Sequence, residues 1–233
     1  MKFFNIAALA GAVSAYQADD KVKIDLYYES ECPYCRDQIV GNFNTAYNTP
    51  GFSDMATVTL HPYGNAHESQ NSSAEWTFSC QHGPVECTYN TLEACALDQI
   101  PDAFPFIKCI EDNARSSAYD DVAKSCATKT NVSNVDSILT CYKGAAGNAL
   151  QHKYAMATES LNPPHKYVPW LVADGQHTDD IQNAVGDNLL QYVCQNYKGA
   201  NKAAACNSEF ELSTKDIEVC YDDVWTGVMW TQQ

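Results

Sequence analysis

Two short stretches near the amino end alternate apolar and polar residues, and a long middle stretch does not. Val22, Ile24, Leu26 and Tyr28 fall on one face of a period-two run, which predicts a strand over Val22–Tyr28. Ala56-Thr57-Val58-Thr59-Leu60 alternates in the same way and predicts a second strand. Between them, Ile39, Phe43 and Tyr47 recur at i, i+4 and i+8, the apolar stripe of a helix over 36–47. Asn48-Thr49-Pro50-Gly51 ends that helix. Strand, helix and strand within roughly 40 residues argue for a right-handed parallel crossover unit.

From Ala74 to Leu161 the apolar period lengthens. The pattern predicts helices over Glu75–Ser79, Cys87–Gln99, Phe104–Asn113, Tyr119–Thr128, Val135–Tyr142 and Ala145–Ser160, with breaks at Pro84, Pro101 and Lys143-Gly144. Tyr167 to Ala173 then reads as a strand with a proline near its start, a place proline tolerates because the ladder loses one donor. Asp174-Gly175 is a hairpin-turn signal, and Ile181 to Tyr192 a last helix. We divide the chain into 1–15, a leader; 16–206, one α/β domain carrying a helical insert over about 74–161; and 207–233, an acidic tail open to removal.

Composition narrows the class. Lys2, the apolar run from Phe3 to Val13 and the small residues Val13-Ser14-Ala15 make a secretory signal. No later stretch approaches the run of roughly 20 apolar residues that a membrane span needs. Fourteen basic residues against 29 acidic ones give a formal charge of −15, a surface that repels nucleic acid and anionic membrane. Eleven cysteines in an exported chain predict a disulfide framework. Setting aside Cys32 and Cys35 leaves nine, an odd number, so one thiol is free, pairs with another chain or leaves with the tail. The connectivity itself is not readable from sequence.

Cys32-Pro33-Tyr34-Cys35 sits between the first strand and the first helix. A thiolate on the first cysteine attacks a substrate disulfide, and the second thiol resolves the mixed disulfide. The unpaired N–H groups of a helix N-terminus favour that thiolate. Moving a thiol pKa from about 8.5 to about 5 takes roughly 5 kcal/mol. A helix terminus supplies up to about 2 kcal/mol, and each backbone hydrogen bond to the charged sulfur about 1.5–3. The nearby Glu29 and Glu31 oppose it until they are protonated. The competing readings are a fixed structural disulfide and half of a zinc site. The second is weak, because no other C-x-x-C occurs to complete four thiolates.

Cys80-Gln81-His82-Gly83-Pro84-Val85-Glu86-Cys87-Thr88-Tyr89-Asn90, followed by Cys95, resembles the signature of the gamma-interferon-inducible lysosomal thiol reductase family at every fixed position. Pro62-Tyr63-Gly64-Asn65-Ala66 and the upstream C-x-x-C also resemble that family, over about Lys21 to Cys206. The resemblance implies a thioredoxin-like fold with a disulfide-rich helical insertion between the second strand and the cis-proline strand. It implies reduction of protein disulfides in acidic endolysosomal compartments, with Cys32 and Cys35 as catalytic pair and redox-active disulfide. By position, Pro169 is the cis-proline candidate, and the Val168 backbone would pair with a substrate chain. The inner Pro33-Tyr34 departs from the mammalian members and resembles glutaredoxins. Cys80, Cys87, Cys95, Cys109, Cys126, Cys141, Cys194 and Cys206 are expected to be structural. His82 and Glu86 suit capping and hydrogen bonding better than metal ligation, and His61, His67, His152, His165 and His177 show no metal spacing.

The expectation is thus an exported disulfide reductase needing no cofactor or metal. Its partners are disulfide-containing proteins and a small-thiol reductant, and it resides in the lysosome, the endosome or the extracellular space. An oxidase or isomerase, and a secreted binding or defence protein on the same fold, are the alternatives. Asn71-Ser72-Ser73 and Asn131-Val132-Ser133 are glycosylation sequons.

Overall fold

Strand β1 (Val22–Tyr28) lies at the centre of a three-stranded sheet ordered β2–β1–β6 in a computed structural model that describes residues 21–71, 74–208 and 216–222. β2 (Ala56–Pro62) runs parallel to β1, with Ile24 opposite Val58 and Leu26 opposite Leu60. β6 (Trp170–Ala173) runs antiparallel on the other side, with Leu26 opposite Leu171. The period-two pattern sorts the two faces. Val22, Ile24, Leu26 and Tyr28 enter the main core, whereas Tyr27 joins Trp170 and Val172 in a smaller cluster. Leu26 is wholly buried, so truncation to alanine there would cost about 2–5 kcal/mol.

The crossover from β1 to β2 is helical over 33–47: α1 (Pro33–Asp37), a π-helical turn (Gln38–Phe43) and α2 (Asn44–Tyr47). Ile39 and Phe43 are buried on its inner face, as their spacing predicts. Gly51, with φ of +85°, opens the short α3 (Phe52–Met55) that feeds β2.

The insert between β2 and β6 begins with a strand pair, not a helix. The expected helix Glu75–Ser79 is strand β4 (Trp76–Ser79), antiparallel to β3 (His67–Gln70). Trp76 and Phe78 alternate with Thr77 and Ser79, and the Thr77 hydroxyl meets Ser69 at 2.9 Å across the pair. Trp76 also stacks on His152 at 3.8 Å, a contact that only the folded insert supplies.

Helices follow: α4 (Pro84–Gln99), α5 (Phe104–Asn113), α6 (Tyr119–Thr130), α7 (Val135–Tyr142) and α8 (Ala145–Glu159). Cys95–Cys141 ties α4 to α7, and Cys109–Cys126 ties α5 to α6. Cys80–Cys87 fastens the end of β4 to the start of α4.

The chain returns through β5 (Tyr167–Val168) and β6, and turns at Asp174 and Gly175, both at positive φ, to pair Ala173 with Gln176. The single last helix expected over Ile181–Tyr192 is two, α9 (Asp179–Asp187) and α10 (Leu189–Asn196). Asn188 is extended between them, and its side chain accepts from the Gln191 amide to cap the second. Cys194–Cys206 closes α10 onto a 3₁₀ turn, Ala204–Asn207. A two-residue strand, β7 (Cys220–Tyr221), pairs with β5. The leader 1–15 and most of the tail 207–233 lie outside the described residues.

The topology is thioredoxin-like: a parallel β1–helix–β2 unit, an antiparallel strand that follows a cis-proline, then α9. The helical insert falls between β2 and that strand, as expected from the sequence.

Candidate functional site

β1 ends at Tyr28, the chain turns through Glu29–Glu31, and Cys32 stands at the N-cap of α1 in extended conformation with Pro33 as the first helical residue. The turn is pinned from the insert. The Ser30 amide donates to Asn90 Oδ1 at 2.9 Å, and the Ser30 hydroxyl to the Glu86 carbonyl at 3.3 Å. Opposite, the Val168–Pro169 peptide is cis, and Cys32 Sγ lies 3.9 Å from the Val168 carbonyl oxygen. The Gln182 side chain holds the start of β6 by donating to the Pro169 carbonyl at 2.8 Å and accepting from the Leu171 amide at 2.9 Å.

The two sulfurs of the C-x-x-C are not bonded to each other. Cys32 forms a disulfide with Cys220, 188 residues away, and Cys35 is a thiol. This departs from the expected Cys32–Cys35 disulfide, and it accounts for the odd cysteine of the sequence. The other eight pair among themselves in the four bridges described above. Both Cys32 and Cys35 are wholly buried. Burial raises the Cys35 thiol pKa well above its ordinary value, and the Glu29 charge adds to this; a backbone hydrogen bond from Glu29 acts the other way. Cys35 is therefore held protonated while Cys32 is occupied.

The signature residues of the insert surround this pair. The His82 ring meets the buried Glu86 carboxylate in a short contact and lies 3.4 Å from Glu29 Oε1. Glu29 Oε2 accepts from the Asn65 amide at 2.8 Å. Asn65 and Gln81 are joined side chain to side chain at 2.8 Å. Glu29, His82 and Glu86 place three ligand-type atoms within 4.8 Å of one another, as do Glu29, Cys32 and Cys220, whose two sulfurs are bonded to each other.

The model of the gamma interferon inducible lysosomal thiol reductase family matches residues 23–130. A gamma-interferon-inducible lysosomal thiol reductase from Carassius auratus is 39% identical over 198 residues, covering 83% of this chain and 75% of that protein. The chain belongs to this family. An Arabidopsis thaliana gamma-interferon-responsive lysosomal thiol protein is 38% identical, covering 83% and 78% of the two chains, and the Mus musculus reductase 36%, covering 86% and 76%. Among solved structures, Chlamydia trachomatis DsbA has a TM-score of 0.48 at 13% identity, covering 71% of this chain and 85% of that one.

In this thiol reductase, a second acidic group lies behind Cys35. Tyr28 donates its hydroxyl to Glu93 Oε2 at 2.6 Å, and Glu93 and Glu111 are wholly buried in the space between β1, α4 and α5. Burial pushes both carboxyls far up. Burial also raises Glu31, while Arg115 opposes the shift.

Sequence reasoning missed this pair, because Glu93 and Glu111 look like ordinary polar positions of amphipathic helices. It also missed Asn65 and Gln81 as neighbours of Cys220, although both belong to the motifs it had singled out. The remaining histidines are dispersed: His61 bonds Asp25, His152 bonds Glu68, and His177 stacks on Trp170. Asn71 and Asn131 are both exposed.

Proposed function

We propose that the oxidoreductase reaction of this family member runs through Cys32 as attacking sulfur and Cys35 as resolving sulfur, on protein disulfides presented along β5. The position of Cys32 carries the reading: a cysteine at a helix N-cap, with its sulfur against the Val168 carbonyl next to Pro169. The Cys32 thiolate attacks one sulfur of a substrate disulfide. A mixed disulfide forms, and the other substrate sulfur leaves and takes a proton. The Cys35 thiol then attacks Cys32 Sγ and forms the Cys32–Cys35 disulfide, and the substrate's remaining sulfur leaves as a thiol with the proton that Cys35 gives up. Two equivalents of a small thiol restore the dithiol and leave as their own disulfide.

The carboxyls around Cys35 support an acidic compartment. Glu29, Glu111 and Glu86 each raise the Cys35 pKa by their charge. Acid suits Glu93 and Glu111, which the fold holds toward the neutral form, and a neutral Glu111 no longer opposes ionisation of Cys35. Five disulfides fit the secretory pathway. Among the described residues, no helix is long and apolar enough to cross a membrane. An acidic endolysosomal space is the reading these features support best, with glycans at Asn71 and Asn131.

The experiment is reduction of a denatured disulfide protein at pH 5 and pH 7.5 by wild type, Cys32→Ser and Cys35→Ser. Cys32→Ser is expected to be inactive, and Cys35→Ser to accumulate mixed disulfides. Full turnover by Cys32→Ser would exclude the mechanism.

A further inference from the structure

The segment 216–222 sits across the site in a particular way. Besides the Cys32–Cys220 bond, Cys220 and Tyr221 run antiparallel to β5, with Cys220 opposite Val168 and Tyr221 opposite Tyr167. Asn65 Nδ2 donates to the Cys220 carbonyl at 3.1 Å, and Gln81 Nε2 to the Tyr221 carbonyl at 2.7 Å. The Asp222 amide donates to the Lys166 carbonyl at 3.3 Å, and the Tyr221 ring packs edge-on against Tyr167 at 5.6 Å.

Upstream, Asn183 donates to Asp216 Oδ1 at 2.9 Å and accepts from the Ile217 amide at 3.4 Å. Ile217 fills the hollow over Gly186, where an added Cβ would come within 2.6 Å of its Cδ1. The segment is thus held by a sulfur–sulfur bond, by strand pairing, by the Asn183 and Ile217 contacts upstream and, around Cys220 itself, by Asn65 and Gln81, which read only main-chain carbonyls. A binding mode that reads the main chain accepts many sequences.

We propose that segment 216–222 is a built-in substrate mimic: it occupies the groove that takes an extended cysteine-bearing peptide, with Asn65 and Gln81 as the residues that grip the main chain, and its disulfide to Cys32 locks the enzyme. This deepens the assignment of Cys32 as the attacking sulfur and rests on it.

Release is balanced without an added oxidant. The Cys35 thiol attacks Cys32 Sγ, the Cys32–Cys35 bond forms as Cys32–Cys220 breaks, and Cys220 leaves as a thiol with the proton from Cys35. A small thiol then opens Cys32–Cys35 as in the catalytic cycle. The lock closes by the reverse exchange, when the Cys220 thiol attacks Cys32 Sγ of the Cys32–Cys35 disulfide left by a turnover and Cys35 leaves as a thiol; small thiol that reduces Cys32–Cys35 draws the exchange toward the open form.

The test uses the full chain purified without reductant. Peptide mapping is expected to yield Cys32 linked to Cys220. Wild type, Cys220→Ser, Ile217→Asp and Cys32→Ser are then started with a small thiol on a disulfide protein. Wild type should show a lag that Cys220→Ser lacks and Ile217→Asp shortens. Its initial rate should lie about tenfold or more below that of Cys220→Ser, because a tethered segment competes at roughly millimolar effective concentration against micromolar substrate.

A synthetic peptide of residues 216–222, with its cysteine carried as a disulfide to a small thiol, should exchange onto the Cys32 sulfur in the Cys35→Ser/Cys220→Ser double variant, the small thiol leaving. Should Cys220→Ser fail to fold, Ile217→Asp and the peptide carry the test. Wild type that starts at once at the Cys220→Ser rate, with Cys32→Ser inactive, refutes the lock and leaves the reductase reading standing. Full activity of Cys32→Ser refutes that reading itself.

Discussion

The Asn65 amide donates to Glu29 Oε2 at 2.8 Å, and this wholly buried carboxylate joins the turn after β2 to the end of β1. Gly64 makes the approach possible: its φ is +65°, and a Cβ there would lie 2.5 Å from the Glu29 Cβ. Gly64→Ala should therefore add left-handed strain of about 1–2 kcal/mol to overpacking of about 1–3 kcal/mol. The expected result is a lower urea midpoint with an unchanged slope. A midpoint equal to wild type would mean that the turn has room it does not show.

Glu93 and Glu111 make stability depend on pH in an unusual direction. Their folded pKa values are raised, so the folded state keeps protons that the unfolded chain loses above its carboxyl pKa of about 4.3. Their contribution is complete below that pH and is lost as pH rises through the folded values. The melting temperature should be higher at pH 5 than at pH 7.5. Glu93→Gln, which removes one titrating group, should flatten the difference, and a wild-type profile that climbs toward pH 7.5 would contradict the assignment.

The staples of the insert should rank by loop length. In the chain-entropy picture, Cys95–Cys141 closes 46 residues and is worth about 4 kcal/mol, whereas Cys80–Cys87 closes 7 and is worth about 2.4. Paired serine variants, compared by chemical unfolding, should lose stability in that order. The reverse order would show that native contacts around Cys80–Cys87 outweigh chain entropy.

Gln81 separates grip from chemistry. Removing one main-chain hydrogen bond of about 1 kcal/mol corresponds to roughly a fivefold change. Gln81→Ala should raise KM for a protein disulfide by about that factor, while pre-reduced enzyme alkylates at Cys32 as fast as wild type. A slower alkylation instead would place Gln81 in the activation of the sulfur.

Periodicity made much of this architecture legible. β1 and helices α5 and α7 have the bounds their patterns predict, because each buries one clean face. Where the signal was short, tertiary partners decided. Trp76–Ser79 became a strand by pairing with His67–Gln70, and Asn188 split a helix by capping its second half. The Cys32–Cys220 bond was beyond reading, since β7 has two residues and no period. The odd cysteine count was its only trace. Glu93 and Glu111 were illegible for another reason: burial of a charged residue is decided by what packs over it.

The 188 residues between Cys32 and Cys220 also impose an order of events during synthesis. A chain made from its amino end presents Cys32 early, and Cys220 arrives only after the eight cysteines of the four staples have emerged. Throughout that interval Cys32 has eight other cysteines with which it can pair wrongly.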